Sequence, residues 1–311
     1  MSTTRRDILA GAALAGPALL AGARVTAASP PAKAGDPMPL AQTSASPALS
    51  APSGVAKLAG VDLWYWDTGG DKPAIVLLHP ATGSGLVWGY QQAALAAAGY
   101  RVIGYSRRGF NGSSAGDPAS PGTGADDLRM LLNHLRIERA HLVGTAAGGF
   151  VAASFALMWP GRVRSLTLAC TILSGAERTV IDMLSFLREP WYNALPHEFR
   201  ELSPSYRAID KAGVQRWHEL HEQSRGSNPP VNQPAGEPAT LAAIARLAMP
   251  VLLISGDADL ISPPPVARLF NRTIPGSQLV VIPESGHSAY WERPDQFNGA
   301  LLSFLGRHRS T

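Results

Sequence analysis

Leu142-Val143-Gly144-Thr145-Ala146-Ala147-Gly148-Gly149 (residues 142–149) carries a short apolar strand through a glycine-flanked turn into a helix over residues 148–158. Small residues stand where a strained turn and a close strand–helix contact need them. The same rhythm, a continuous apolar run followed by a longer helical stretch, extends in both directions. Upstream lie strand-like runs at 61–66, 74–79 and 101–105, with helices expected at 88–98 and 125–135. Downstream come strands at 163–169, 251–255 and 279–282, and a last helix ending near Phe304. Near-continuous apolar strands alternating with helices predict an α/β fold with a mostly parallel central sheet and helices on both faces. Residues 174–239 interrupt the pattern with aromatic and charged residues at helical spacing, as in Trp217, Leu220 and His221, and end in a proline-rich stretch. They read as an inserted helical cap, the core being 55–173 and 240–311, and caps of this kind shape small-molecule pockets.

At 311 residues, 45% apolar and 16% charged, the chain has the size and composition of one large globular domain. Its first 28 residues, with Arg5-Arg6-Asp7 before an apolar run to Ala23, read as a twin-arginine export signal, which makes the export machinery a partner and the protein periplasmic or secreted. The apolar run is too short for a stable membrane anchor. Residues 29–54, rich in Pro, Ala and Ser, read as a flexible linker. Removing the signal takes away Arg5, Arg6, Arg24 and Asp7, so the formal charge falls from +4 to +2. No basic run interleaved with aromatics points to nucleic acid. A single cysteine, Cys170, excludes an internal disulfide or a cysteine-built zinc site, and in its apolar run it reads as a core residue.

Strand, sharp turn and helix at 142–149 have the form of the G-x-S-x-G nucleophile elbow, with Ala146 where that motif has serine. In this the chain resembles the α/β-hydrolase superfamily, in particular its capped esterases, haloperoxidase-like enzymes and C–C bond hydrolases, from Val55 to His308. The resemblance implies an acid in Ile254-Ser255-Gly256-Asp257-Ala258-Asp259, at Asp259 with Asp257 as the alternative, and a catalytic histidine, His287, in Glu284-Ser285-Gly286-His287-Ser288. It also implies an oxyanion hole from the loop Pro80-Ala81-Thr82-Gly83-Ser84-Gly85 and the N–H of Ala147. Pro80, Ala81, Ser84, Thr145 and Ala147 are the candidate oxyanion and substrate-binding residues, while Arg107 and Arg108 read as a solvated pair.

Without a hydroxyl at 146 an ordinary acyl-enzyme esterase is not encoded. Losing the nucleophile of a serine protease costs about 2 × 10⁶-fold in kcat, or roughly 9 kcal/mol. Three readings follow: an enzyme using His287 and Asp259 without a covalent step on a small organic carbonyl or ester-like substrate; a serine hydrolase carrying a serine-to-alanine change at 146; or a non-catalytic ligand-binding protein. The eight histidines show no convincing metal-ligand spacing, and no G-x-G-x-x-G follows the first strand, so neither a metal nor a nucleotide cofactor is expected.

Overall fold

The apolar runs become buried strands. A computed structural model of the chain describes residues 46–173, 177–224 and 231–309. Among them β1 (Ser53–Leu58), β2 (Val61–Asp67), β3 (Ala74–Leu78), β4 (Arg101–Tyr105), β5 (Ala140–Thr145), β6 (Val163–Ala169), β7 (Val251–Gly256) and β8 (Gln278–Ile282) form one sheet in the order β1-β2-β4-β3-β5-β6-β7-β8. β1 and β2 are antiparallel additions at one edge, and the other pairings are parallel. Every residue of β3, β5 and β7 is buried, as continuous apolar runs require of strands covered on both faces.

The helices are α1 (Gly89–Ala97), α2 (Gly124–His134), α3 (Ala147–Met158), α4 (Arg178–Leu187), α5 (His197–Glu201), α6 (Pro204–Ile209), α7 (Lys211–Ser224), α8 (Leu241–Ile244), α9 (Pro264–Thr273), α10 (Ala289–Glu292) and α11 (Pro294–Arg307). None of the described helices is long and apolar enough to cross a membrane. Alternation along the strands divides the core. Val76, Leu78 and Leu142 pack with α2, α3 and α9, while Ile75, Leu77 and Val143 pack with α1 and α11. Leu202, Tyr206, Trp217 and Leu220 of the insertion join the second cluster, so the cap is anchored by the core itself.

The leader read in residues 1–28 lies outside the described residues, as does the linker up to residue 45. The linker's far end needs correction: Ser50 N–H donates to Gln92 Oε1 at 2.7 Å, Leu49 and Ala51 pack on the core, and β1 begins at Ser53. A Pro/Ala/Ser composition concealed a strand whose ladder is supplied by its partner, with Val55 opposite Trp64. The cap also ends earlier than residue 239. Residues 174–176 and 225–230 lie outside the described residues, but Pro234 and Ala235 run against the core, their carbonyls accepting the Gly124 and Ala125 N–H groups at 2.8 Å each. These groups open α2 and have no acceptor within it, which a proline-rich segment rich in free carbonyls can supply.

From β3 the chain crosses to β4 on one side, then returns past β3 to β5 on the other. The loops leaving the carboxyl ends of β3 and β5 therefore part, opening a crevice where open parallel sheets bind ligands.

Candidate active site

The turn after β5 is as sharp as its glycines predict. Ala146 has φ 48° and ψ −116°, and α3 starts at the next residue. A Cβ at Gly144 would stand 2.6 Å from the Gly148 carbonyl oxygen, and one at Gly148 would stand 2.8 Å from that of His79. Both positions therefore exclude any side chain. Ala147, as the first residue of α3, has no carbonyl within the helix to receive its N–H.

Two loops bring the acid and the imidazole together. Asp259, after β7, is buried, and its Oδ1 accepts the Ile261 and Ser262 N–H groups at 2.8 Å each, which fixes the carboxylate from within its own loop. His287 follows β8, and its Nδ1 lies 2.9 Å from Asp259 Oδ2 and 3.1 Å from Oδ1. That contact directs an Nδ1 proton toward the acid, leaving Nε2 as the ring nitrogen that Asp259 does not engage. Burial pulls the imidazole down, but the Asp259 charge and hydrogen bond, then Glu201 and Glu292, outweigh it and hold the ring above its ordinary value.

Ala146, Ala147, His287, Pro80 and Ala81 line one cavity of about 270 Å³, together with Thr82, Phe150, Cys170, Ile172, Ile261 and the cap residues His197, Arg200 and Glu201. Its floor is pinned from behind. The Arg107 N–H donates to His79 Nε2 at 3.0 Å, so His79 Nδ1–H donates to the Pro80 carbonyl at 2.7 Å. Arg107 Nη2 adds bonds to the His79 and Pro80 carbonyls at 3.3 and 3.2 Å. Burial, then the Arg107 charge, keeps His79 well below the usual imidazole value and hence neutral. Burial likewise lowers the Arg107 guanidinium to about 10. Arg108 forms a buried two-point pair with Asp127 at 2.7 and 2.8 Å. Neither arginine is the solvated residue that the sequence suggested.

Two of the expected binding residues do not face this cavity. Ser84 is fully buried, where its Oγ caps a short 3₁₀ turn by accepting the Leu86 N–H and receives a hydrogen bond from Ser224 Oγ at 2.9 Å. Thr145 is buried at the end of β5 and is absent from the cavity wall. Being at the carboxyl end of a strand does not say which way a side chain points.

The structure also adds residues to the site. Cys170, read as core, is buried at φ 48° just beyond β6, and its donor atom lies within 4.8 Å of those of Asp259 and His287. Burial and the Asp259 charge push the thiol well above its usual value, which favours the protonated form over the reactive thiolate. These three side chains are the cluster among the described residues with a metal-binding composition. His287 Nδ1 and both Asp259 oxygens are bonded to one another and to the Ile261 and Ser262 N–H groups, so a cation there would have to displace those bonds. Glu201 is the other addition, its carboxyl raised mainly by burial. No fixed spacing links a cap residue to a strand end 86 positions later, so nothing in the sequence singled it out.

The sequence profile described as the alpha/beta hydrolase family matches residues 75–300. A Synechocystis sp. protein provisionally named a non-heme chloroperoxidase is 33% identical over 270 residues, covering 79% of this chain and 96% of its own. A 2-hydroxy-6-oxononadienedioate/2-hydroxy-6-oxononatrienedioate hydrolase of Paraburkholderia phymatum is 31% identical over 267 residues, covering 78% and 90%. The crystal structure of a bromoperoxidase from Bacillus anthracis superposes with a TM-score of 0.65 at 26% identity, covering 82% of this chain and all of that one.

Proposed function

The chain belongs to the alpha/beta hydrolase family, and from that premise we propose that it is an exported enzyme that acts on a small organic carbonyl or ester-like molecule without forming a covalent acyl-enzyme. The observation carrying this reading is the methyl group of Ala146 at the tip of an intact elbow, in the same cavity as His287. His287, oriented by Asp259, exchanges a proton between Nε2 and water or substrate. The Ala147 and Ala81 N–H groups hold the oxygen on which negative charge develops. A bound carbonyl thus faces a proton carrier and an oxyanion hole, while water or a substrate bond takes the part that serine plays elsewhere. The similarity to a hydrolase of oxo-acids supports a carbonyl substrate, and the Arg5-Arg6 leader supports the twin-arginine route.

The test compares the purified chain with Ala146→Ser and His287→Ala on 4-nitrophenyl esters and on 2-hydroxy-6-oxo acids. Turnover by the unaltered chain, lost by at least 100-fold in His287→Ala, is expected. Ester hydrolysis that appears only in Ala146→Ser would reject the non-covalent reading in favour of a serine esterase that has lost its nucleophile.

A further inference from the structure

Glu201 ends α5 and lies in the wall of the cavity that holds Ala146 and His287, with 5% of its surface exposed. Its Oε2 accepts a hydrogen bond from Thr82 Oγ1 at 2.8 Å, and its Oε1 stands 3.9 Å from His197 Nδ1. Arg200, one residue earlier, directs its Nη2 to His197 Nδ1 at 2.9 Å, so it forms no ion pair with this carboxylate. Burial raises the Glu201 carboxyl; His287, the Thr82 hydroxyl and His221 of α7 counter that, and Asp259 reinforces it. Glu201 and Glu292 in turn help to hold the His287 ring above its ordinary value. An acidic side chain brought in by the cap therefore meets the imidazole brought in by the core across one small space.

We propose that Glu201 is a second acid–base group of this site, paired across the cavity with His287, one taking a proton from the attacking water while the other gives one to the departing atom. The inference rests on the non-covalent reading above. With no acyl-enzyme, attack and departure belong to a single visit of the substrate, and two proton carriers serve both events. For an ester, the water oxygen bonds to the carbonyl carbon as one water proton passes to the basic partner. The carbon–oxygen bond to the alcohol then breaks, its electron pair stays on the departing oxygen, and that oxygen takes the proton of the acidic partner. Transfer of the proton just gained from the basic to the acidic partner through solvent restores both.

Nitrogen-15 and carbon-13 NMR titrations of the full chain follow the His287 ring and the Glu201 carboxyl from pH 4 to 9, in the unaltered protein, Glu201→Gln and Thr82→Val. The His287 curve is expected to carry a second inflection where Glu201 titrates, and to lose it with a lower midpoint in Glu201→Gln. Thr82→Val, which removes a donor to the carboxylate, moves the Glu201 midpoint up and keeps the inflection. Superimposable His287 curves in the unaltered protein and Glu201→Gln overturn the proposal. With ethyl acetate, whose departing alkoxide must take a proton, Glu201→Gln lowers kcat by about 100-fold and removes one limb of the pH–rate profile; an unchanged kcat and profile overturns the proposal even if the titrations are linked. Absence of turnover in the unaltered chain counts against the function proposed above, and the NMR curves then decide the pairing alone.

Discussion

Ala146 holds a backbone conformation that costs a non-glycine residue about 1–3 kcal/mol, and its methyl group makes no hydrogen bond that the bend requires. Strain kept without the serine hydroxyl should be removable. Ala146→Gly is expected to raise stability by about 1 kcal/mol, strain relief being partly offset by the larger chain entropy of unfolded glycine. Urea midpoints measure it, and an unchanged or lower midpoint would show that the bend is not strained. At this scale the sequence was legible where geometry leaves no choice, as at Gly144 and Gly148, which have no room for a side chain, and at Asp259 and His287, which the fold places in contact. It misled where exposure depends on side-chain direction. Ser84 is spent on a turn and Thr145 is enclosed by the sheet, while Cys170, read as core, is both buried and part of the cavity wall.

The short helix α10 carries the carboxylate that joins the cap to the histidine loop. Glu292 Oε2 accepts the Ser203 N–H at 2.8 Å, and Oε1 accepts the Gly286 N–H, next to His287, at 3.0 Å. Burial raises this carboxyl to about 7, although the two N–H donors oppose it. The folded protein therefore holds the Glu292 proton more tightly than the unfolded chain. This contribution is fully present below about pH 4.5 and is lost as pH rises through 7, a change on the order of 3 kcal/mol. Glu292→Gln keeps one acceptor and turns an amide toward the other N–H, at a cost of about 1–3 kcal/mol. Relative to the variant, the unaltered protein should lose stability between pH 5 and 8; parallel urea midpoints across that range would exclude a titrating Glu292. Helical spacing revealed that a cap exists, but not that Glu201 and Glu292 serve it, because both act through contacts between segments far apart in sequence.

Across the whole molecule, the parallel sheet was legible because fully buried strands write themselves as unbroken apolar runs, as in β3 and β7. β1 was not, since its burial alternates weakly and its composition merges with the linker. Export, the remaining whole-molecule expectation, is tested by replacing Arg5 and Arg6 with lysine and fractionating cells that possess the twin-arginine system. The unaltered chain should reach the periplasm and the variant remain inside; identical distributions would reject that route. The bend at position 146 also bears on how readily the protein could change. Alanine and serine codons of the GCN and TCN sets differ at a single base, so a hydroxyl at the tip of this bend, in the cavity that holds His287, lies one nucleotide change away. The backbone at that position would need no rebuilding to carry it.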